Sequence, residues 1–322
     1  MKILVTGGAG YIGGTVSRIL VAGGDEVTVY DNFCHSQRSA VAQGVHLVDG
    51  DVANRDLLES TLREGRFDAV MHFAALIEAG ESMKRPELYF RANTAATLTL
   101  LEAMQATGHQ KLVFSSTAAC YGEPEKTPIR EDARLSPTNP YGESKLLVER
   151  MLFWMNEIHG FRYASLRYFN VAGAIQGYGE AHEPESHLIP LILDVAMRRR
   201  NAIKVFGRDY PTADGTCIRD YIHIRDLADA HLLALKALED RSRMIYNIGN
   251  GEGFSVLQVI DAVRRVTTKP VHVEECPRRE GDPAVLVASS DKIRAELGWT
   301  PKFSDLDTII ASAWEWHQQR YA

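Results

Sequence analysis

Hydrophobic residues in the first half of the chain fall in short, nearly continuous runs that alternate with longer windows of helical spacing. The runs that predict strands are KILVT, EVTVYD, VHLVDGD, AVMHFAA, KLVFSS and RYASLRYF. Continuous runs of this kind are typical of strands buried on both faces of a parallel sheet. The windows 15–22, 94–107 and 141–158 repeat their apolar residues with the period of a helix. The pattern predicts repeated βαβ units and therefore an α/β fold with a doubly wound parallel sheet of the Rossmann type.

The pattern changes after Asn170. A stretch rich in Gly, Glu and His, VAGAIQGYGEAHEPESH, precedes a short apolar window and the loop GRDYPTADGTCIRDY. Helical periodicity returns at 225–238, and MIYNIGN predicts another strand. We therefore predict a first domain formed by residues 1–168 and 220–250, and a smaller mixed α/β domain formed by residues 169–219 and 251–322.

Composition excludes several functional classes. The chain has 322 residues, of which 45% are hydrophobic and 24% are charged, and a formal net charge of -6. Its basic residues are dispersed, which argues against a nucleic-acid partner and against a polybasic membrane patch. Four separated cysteines and the absence of a long apolar run or a secretory segment predict reduced thiols in a cytoplasmic protein. No cluster of His, Cys or carboxylate residues has the spacing of a metal site.

Three glycines follow the first predicted strand, where a helix should open. KILVTGGAGYIGG places Gly7, Gly10 and Gly13 in the spacing G-x-x-G-x-x-G. Such glycines permit a tight turn, let backbone N–H groups approach a pyrophosphate at the helix N-terminus, and allow close helix packing. A purely structural turn is the alternative.

Polar residues at the ends of the next two strands favour a dinucleotide. Asp31 ends the second strand, 18 residues after Gly13, where a carboxylate accepts ribose hydroxyls and repels a 2′-phosphate. Asn32 adds a donor, and Asp51 with Val52 is expected at the adenine edge. For Asp51, a turn or capping role is the alternative. The combination favours NAD over NADP.

The segment NPYGESK places a tyrosine and a lysine four residues apart after a proline. If a helix begins at that proline, Tyr141 and Lys145 lie on one face, one turn apart. An ammonium beside a phenol favours the phenolate and lowers a pKa that is otherwise about 10. A preceding strand ends in Ser115, Ser116 and Thr117, at the sheet edge where ligands bind. These motifs together predict that Tyr141 is a general base facing a nicotinamide.

The combination resembles the short-chain dehydrogenase/reductase superfamily in its extended form, and most closely its UDP-glucose 4-epimerases. The resemblance covers nearly the whole chain and rests on TGGAGYIG, FAA, FSST, YGESK, RYFNVAGA, FGRDYPTADGTCIRDYIH, DLADAH, YNIGNG and RREGDPA. It implies interconversion of UDP-galactose and UDP-glucose through a bound 4-keto sugar, with NAD as a resident cofactor.

The resemblance also implies the roles of individual residues. Tyr141 takes the proton of the sugar 4′-hydroxyl, Lys145 bonds the nicotinamide ribose and lowers the pKa of Tyr141, and Thr117 supports the proton transfer. A strand-end cap is the alternative for Thr117. The implied cofactor-binding residues of the NAD-binding first domain are Gly7, Gly10, Tyr11, Ile12, Gly13, Asp31, Asn32, Asp51, Val52, Phe73, Ala74, Ala75, Asn93, Ser115, Tyr141, Lys145 and Tyr168.

The smaller domain is implied to hold the nucleotide sugar. Arg219 and Arg279 match diphosphate-binding arginines, whose forked guanidinium groups suit phosphate. Arg278 is expected to be a solvated surface charge. The implied substrate-binding set, in which His187 has a structural role as its alternative, is Thr117, Tyr141, Asn170, His187, Leu188, Phe206, Arg219, Arg279 and Asp282.

Two positions depart from the family pattern. Ile77 stands where some epimerases carry a lysine, so one possible cation for the NAD diphosphate is missing. Near Leu286, some relatives have a tyrosine that closes the sugar pocket to an N-acetyl group. Leucine leaves room there, so UDP-GlcNAc stays open as a substrate.

Other functions use the same motifs. A nucleotide-sugar 4,6-dehydratase needs an acid pair after the threonine, where this chain has Ala118 and Ala119. A UDP-glucuronate 4-epimerase or decarboxylase would need a cation for the C6 carboxylate, and no clear one is evident. A non-catalytic NAD-binding sensor would not need the intact set of Tyr141, Lys145 and Thr117.

The resemblance implies a homodimer joined through two helices of the nucleotide-binding domain. The apolar windows 94–104 and 146–158 are compatible with such an interface. They could equally be part of the intramolecular core, so the dimer is expected from the resemblance alone.

Overall fold

A computed structural model describes residues 1–279 and 282–322. Glu280 and Gly281, which belong to the RREGDPA motif, lie outside the described residues. The strands and helices are β1 (Lys2–Thr6), α1 (Tyr11–Ala22), β2 (Glu26–Asp31), β3 (His46–Asp49), α2 (Arg55–Gly65), β4 (Ala69–His72), α3 (Ala79–Ser82), α4 (Pro86–Tyr89), α5 (Ala96–Ala106), β5 (Lys111–Thr117), α6 (Pro140–His159), β6 (Arg162–Tyr168), β7 (Asn170–Ala172), β8 (Ala174–Ile175), β9 (Tyr178–Gly179), α7 (Leu188–Ala196), β10 (Ile203–Phe206), β11 (Ile218–His223), α8 (Ile224–Ala237), β12 (Arg243–Ile248), β13 (Gly253–Ser255), α9 (Val256–Thr267), β14 (Val273–Cys276), β15 (Val285–Leu286), α10 (Asp291–Leu297) and α11 (Leu306–Tyr321).

A seven-stranded sheet is the largest element of the structure. Its strand order is β12-β6-β5-β4-β1-β2-β3, and the strands from β3 to β5 pair in parallel. The polypeptide moves outward from β1 in both directions, which is the doubly wound arrangement. The predicted Rossmann-type sheet is therefore confirmed. The carboxyl ends of β1, β2, β4 and β5 lie on one edge of this sheet, where α/β proteins bind their ligands.

The described residues form two compact units. The first comprises Met1–Gly122, Leu135–Arg167 and Ala228–Tyr246. Its core is built from apolar residues of the sheet and of the helices packed on it, including Leu4, Tyr30, Leu100, Phe114 and Leu152. These residues come from the continuous apolar runs and helical windows of the sequence, which is why the first half of the chain could be interpreted from its pattern.

The second unit comprises Glu123–Arg134, Tyr168–Leu227 and Asn247–Ala322. Its main sheet pairs β11 with β7, β13 and β15, and a separate parallel pair joins β10 to β14. Helices α7, α9 and α11 cover its apolar core, which includes Ile192, Val205, Ile260 and Ile310. None of the helices in the described parts of the chain has the length and apolar character needed to cross a membrane.

The first residues of helices α1 and α6 determine where the glycine-rich and Tyr-x-x-x-Lys motifs lie. Helix α1 begins at Tyr11, four residues before the predicted window, so Tyr11, Ile12 and Gly13 form its first turn. Helix α6 begins at the proline, as predicted, because Asn139 caps it by accepting the Gly142 N–H at 2.9 Å. The first turn of α6 therefore carries Tyr141, and the next turn carries Lys145.

Candidate active site

The glycine-rich turn connects β1 to α1 and lies against the end of β4. Gly7 has φ of +72°, and a Cβ atom there would lie 2.5 Å from the Ala74 nitrogen. A Cβ on Gly13 would lie 2.3 Å from the Gly7 carbonyl oxygen, so only glycine lets the helix approach the turn this closely. The positive end of a helix dipole favours an anion, so the start of α1 next to this turn suits a phosphate.

Asp31 joins the glycine-rich turn to the end of β2. One carboxylate oxygen accepts the Ala9 N–H at 2.9 Å, and the other accepts the Phe33 N–H at 2.9 Å and the Ser36 hydroxyl at 3.0 Å. The side chain is 9% exposed. A carboxylate held beside a phosphate-binding turn can accept ribose hydroxyls and disfavours a 2′-phosphate. This position fits NAD.

Asp51 and Asn32 lie together on the same side of the sheet edge. The Asn32 amide donates to the Asp51 carboxylate at 2.9 Å, and the other Asp51 oxygen accepts the Ala53 N–H at 2.8 Å. The turn role left open for Asp51 is thus present. Val52, next in the chain, is buried at 8% exposure. An adenine contact by Asp51 and Val52 stays a prediction.

The Asn93 side chain is hydrogen-bonded to the segment that follows β4. Its carbonyl oxygen accepts the Leu76 N–H at 2.8 Å, and its amide nitrogen donates to the Leu76 carbonyl at 2.9 Å and to the Ser144 hydroxyl at 3.1 Å. Both amide hydrogens are therefore used within the protein. Asn93 lies in a π-helical segment, Phe90–Ala95, and it fixes the loop that carries the half-buried Phe73, Ala74 and Ala75.

His72 is a site residue that the sequence analysis missed. Thr97 donates to the Asn93 carbonyl at 2.6 Å, so it must accept from His72 Nε2 at 2.8 Å. His72 Nδ1 then accepts from the Thr6 hydroxyl at 2.6 Å. Burial lowers the pKa of His72 to about 3, with the Lys145 charge adding to the effect. A neutral histidine thus connects the ends of β1 and β4 to α5. A polar residue inside the apolar run AVMHFAA was its only signal.

Thr117 and Tyr141 are brought together at the end of β5. The Thr117 side chain hydrogen-bonds the Tyr141 phenol, and its oxygen also caps the helical turn Ala118–Tyr121 by accepting the Ala119 N–H at 3.1 Å. The capping role considered for Thr117 is therefore present, and its support of proton transfer stays a prediction. Burial raises the pKa of Tyr141, and the hydrogen bond with Thr117 opposes that rise. The expectation that Lys145 lowers the pKa of Tyr141 below its usual range is wrong for this arrangement, because burial outweighs the stabilising contacts.

Lys145 is 2% exposed and forms a single hydrogen bond with the described residues. Its ammonium donates to the Ser115 backbone carbonyl at 2.9 Å and lies 5.0 Å from the centre of the Phe114 ring. No carboxylate in the described part of the chain forms an ion pair with it. Burial lowers the pKa of Lys145 to about 7. Lysine nitrogen has three donor positions, so further acceptors, such as ribose hydroxyls, can be bound.

A second buried charge, Glu149, lies one turn further along α6. Its carboxylate accepts from the Arg167 guanidinium, at 2.9 Å from Nε, and from the Ser116 hydroxyl at 2.5 Å. Arg167 also donates to the Tyr121 hydroxyl at 2.8 Å. Burial alone would lower the pKa of Arg167, but its bonds with Glu149 raise it. This network was not predicted from the sequence.

In the second unit, the structure brings Arg219 and Asp282 into an ion pair of 2.6 Å. Arg219 lies on β11 opposite Leu286 of β15 and is 8% exposed. Its guanidinium also donates to the Ile218 carbonyl at 2.8 Å. The carboxylate therefore orients a nearly buried guanidinium and leaves donors of its fork for another acceptor.

Phe206 and Arg279 also meet in the second unit. The Arg279 guanidinium carbon lies 4.0 Å from the centre of the Phe206 ring, and no carboxylate among the described residues pairs with this arginine. Arg278 behaves differently, because its Nε donates to Asp209 at 2.7 Å and its guanidinium lies 4.1 Å from the Tyr210 ring. Arg278 is exposed, as expected for a surface charge, and it also pairs with the exposed Asp209.

The remaining predicted residues lie at element ends of the second unit. Tyr168 ends β6, and the exposed Asn170 begins β7. His187 precedes Leu188, the first residue of α7, and its Nδ1 lies 2.7 Å from the Glu185 carboxylate. The structural role considered for His187 is present through that contact. Ligand contacts of these residues stay predictions.

A Rossmann-type sheet, a glycine-rich phosphate turn and a Thr-Tyr-Lys set at the carboxyl edge define a nicotinamide-dependent enzyme class. Residues 3–249 match the family model described as "NAD dependent epimerase/dehydratase family". A UDP-glucose 4-epimerase of Streptomyces lividans is 52% identical over 98% of this chain and 96% of its own. A crystal structure of a UDP-glucose 4-epimerase superposes with a TM-score of 0.97 at 48% identity, covering 99% of this chain and 98% of the other. The crystal structure of the Bifidobacterium longum UDP-glucose 4-epimerase in complex with NAD⁺ and UDP superposes with a TM-score of 0.95 at 36% identity. The match covers 100% of this chain and 99% of the other.

The chain belongs to the NAD dependent epimerase/dehydratase family. Its cofactor is accordingly NAD, which the glycine-rich turn, Asp31 and the buried Lys145 ammonium fit.

Proposed function

We propose that the chain interconverts UDP-galactose and UDP-glucose by transient oxidation at C4′ of the sugar. The observation that carries the proposal is the Tyr141 phenol, hydrogen-bonded to Thr117 at the end of β5 and one helical turn before the buried Lys145. Relatives that match nearly the full length of the chain are named UDP-glucose 4-epimerases. The fold alone would not select this activity, since related sheets support many reactions.

The chemistry follows from the positions of these side chains. When bound, NAD would supply a reversible hydride acceptor for C4′, and the bound 4-keto sugar would have to turn over so that the hydride returns to its other face. Tyr141 removes the proton of the 4′-hydroxyl and later gives it back. The Thr117 hydroxyl stabilises the phenolate by its hydrogen bond, and the Lys145 ammonium binds ribose oxygens while adding a positive charge to the site.

The raised pKa of Tyr141 sets a requirement for the mechanism. Burial favours the neutral phenol, so proton removal needs a positive charge close to the phenol when substrate is bound. The Lys145 ammonium and the pyridinium charge of the cofactor are both positive. We therefore propose that Tyr141 becomes an effective base in the ternary complex.

We assign the uridine diphosphate of the substrate to residues of the second unit. Arg219 and Arg279 bind the diphosphate, and Phe206 and Asp282 contact the uridine. Asn170, His187 and Leu188 are assigned to the same ligand. The Arg219–Asp282 ion pair and the Arg279–Phe206 stack support this proposal, because they hold forked donors next to an aromatic ring.

The cofactor contacts and domain boundaries are part of the same proposal. The first compact unit is assigned to NAD and the second to the nucleotide sugar. The bounds of the first unit differ from the predicted 1–168 and 220–250, because residues 123–134, 168, 220–227 and 247–250 belong to the second unit. The cofactor contacts proposed are those predicted from the sequence, with Asn93 acting through the loop that it holds. Ile77 is 40% exposed and supplies no cation to the NAD diphosphate.

The activity is tested by incubating the purified protein with UDP-galactose without added NAD and separating the products. We expect UDP-glucose to form, and Tyr141→Phe to reduce kcat by about 10²- to 10⁴-fold, the usual contribution of a general base. Tyr163→Phe is the matched control, because Tyr163 is a buried tyrosine of the same unit, at 1% exposure. A protein that binds NAD but leaves UDP-galactose unchanged would be a sensor instead.

A broader substrate range is a second candidate. Leu286 lies on β15 directly opposite Arg219, and a leucine there is smaller than the tyrosine found in some relatives. Conversion of UDP-GalNAc to UDP-GlcNAc by the same preparation would establish this range. Conversion of UDP-galactose alone would restrict the enzyme to sugars without the N-acetyl group.

We propose that the protein is a cytoplasmic homodimer. Helices α5 and α6 pack together and expose Leu98, Phe153, Trp154 and Ile158, the last two at 60% and 66%. Apolar surface of this kind favours burial against a second copy. The four cysteines are free thiols, which suits a reducing compartment.

The dimer is tested by sedimentation of wild type and Trp154→Glu. We expect wild type at about twice the chain mass of 35.9 kDa and the variant at the single-chain mass. Met83→Glu is the control, because Met83 is equally exposed at 63% but lies outside both helices. A monomeric wild type would contradict the proposal.

A further inference from the structure

Tyr210 has a ring that is held firmly in the second unit. A Cβ atom on Gly207 would lie 2.6 Å from the Tyr210 ring, and the Arg278 guanidinium covers the ring at 4.1 Å. The Tyr210 N–H donates to the Gly215 carbonyl at 3.0 Å, and the Tyr210 carbonyl accepts the Thr212 N–H at 2.8 Å. The loop and the stacked arginine therefore fix where the phenol points.

The Tyr210 hydroxyl is buried without a hydrogen-bond partner among the described residues. The residue is 5% exposed. Buried hydroxyls are almost always bonded, because a buried donor without an acceptor is destabilising. A fixed and unsatisfied donor implies an acceptor that the described part of the chain does not provide.

The surroundings of this hydroxyl indicate what the acceptor is. Burial raises the pKa of Tyr210, and Asp282, Arg219 and Arg278 are the charged groups that act on its phenol. Asp282 and Arg219 form the ion pair assigned above to the nucleotide, and Phe206, under Arg279, lies four residues before Tyr210. The hydroxyl is thus next to cationic groups that attract anionic or polar oxygens of a nucleotide.

We propose that Tyr210 donates a hydrogen bond to an oxygen of the ribose–diphosphate part of the bound uridine nucleotide. This inference rests on the proposed function, since it adds a contact to the same site. Tyr210 is a binding residue and not a catalytic one. Its bond is made far from C4′ and is equal in the ground and transition states, so it contributes to KM and not to kcat.

The experiment compares UDP binding and kinetics of wild type, Tyr210→Phe and a matched control. We expect Tyr210→Phe to bind UDP about tenfold more weakly by calorimetry, to raise the KM for UDP-galactose by a similar factor, and to keep kcat. Its Tm should equal or exceed that of wild type, because the variant removes an unsatisfied group. Tyr178→Phe is the control, since Tyr178 is a tyrosine of the same unit with the same 5% exposure, and it should bind UDP as wild type does.

The outcomes separate this inference from the function on which it rests. If wild type does not bind UDP, the proposed function itself fails. If wild type binds UDP and Tyr210→Phe binds it equally well, the hydroxyl has another partner, such as an ordered water, and only this inference is overturned. A variant with lower Tm and weaker UDP binding would show a structural hydroxyl and would overturn it as well.

Discussion

Two buried charges, one turn apart on α6, have opposite environments. Glu149 is 5% exposed and is bound by the Arg167 guanidinium and the Ser116 hydroxyl. Lys145 is 2% exposed and has only the Ser115 carbonyl as a hydrogen-bond acceptor within the described chain. Both contact β5, where their partners Ser115 and Ser116 are adjacent residues. The two charges are therefore buried to a similar degree, and they differ in whether an opposite charge of the protein pairs with them.

This comparison separates a structural charge from a functional one. A buried charge whose partners are all internal contributes to a single packing arrangement, and removing one partner leaves the other uncompensated. A buried charge without an internal counter-ion destabilises the folded chain and persists where a ligand or a reaction uses it. On this basis we assign Glu149 to the fold and Lys145 to the site.

The largest effect is expected from removing the uncompensated charge. Lys145→Met should lower kcat by about 10²- to 10³-fold. It should also raise the free energy of unfolding at pH 7 by about 4 kcal/mol, because the Lys145 pKa is displaced from 10.5 to about 7 and each unit corresponds to about 1.4 kcal/mol. Steady-state kinetics and urea unfolding measure the two quantities. An active, destabilised variant would place Lys145 among the structural charges.

The opposite result is expected for the compensated charge. Glu149→Gln should lower the free energy of unfolding by about 3–5 kcal/mol, because it leaves the Arg167 guanidinium buried without its counter-ion. Activity per folded molecule should stay within a few-fold of wild type. The double variant Glu149→Met with Arg167→Met should recover most of the lost stability, and a double variant as unstable as the single one would argue against the ion pair as the cause.

A smaller effect should distinguish the two serines that accompany these charges. Ser116→Ala removes a hydrogen bond to a carboxylate and should lower the free energy of unfolding by about 1.5–3 kcal/mol. Ser115→Ala keeps the backbone carbonyl that accepts the Lys145 hydrogen bond. This variant should therefore lower the free energy of unfolding by a smaller amount. Thermal unfolding of the two variants side by side gives the comparison, and equal losses would mean that the Ser116 bond is not special.

The smallest effect per pH unit is the pH dependence that Lys145 contributes to stability. Its pKa is about 7 in the folded chain, below the 10.5 of a free lysine, so the unfolded state binds more protons between these values. Stability from this group therefore rises with pH across that window, by up to about 1.4 kcal/mol per pH unit. The difference in free energy of unfolding between wild type and Lys145→Met should shrink as pH increases, and a constant difference would contradict the lowered pKa.

The features that were predictable are those set by local sequence. Continuous apolar runs predict buried parallel strands, and the spacing of Gly7 and Gly13 predicts the turn that the structure shows. The proline before Tyr141 predicts the helix start that places Lys145 one turn away. Each of these depends on residues close together in the chain, so no knowledge of tertiary neighbours was required.

The features that were missed depend on distant neighbours. Glu149 pairs with Arg167 through α6 and β6, and Arg278 pairs with Asp209, 69 residues away. The pKa of Tyr141 was expected in the wrong direction, because spacing shows that a cation is near but not how deeply the phenol is buried. His72 was visible in the sequence only as one polar residue within an apolar run. Its role could not be predicted, because its partners Thr6 and Thr97 lie on other elements.

The most direct test follows the hydrogen at C4′ of the sugar. UDP-galactose carrying deuterium at C4′ is converted by the purified protein, and the isotope content of the UDP-glucose formed is measured by mass spectrometry. Hydride transfer to a resident nicotinamide and back predicts that the deuterium is retained at C4′, with the oxygen-bound proton alone exchanging through Tyr141. Loss of the deuterium to solvent would mean that C4′ is inverted by proton abstraction, which would contradict the account.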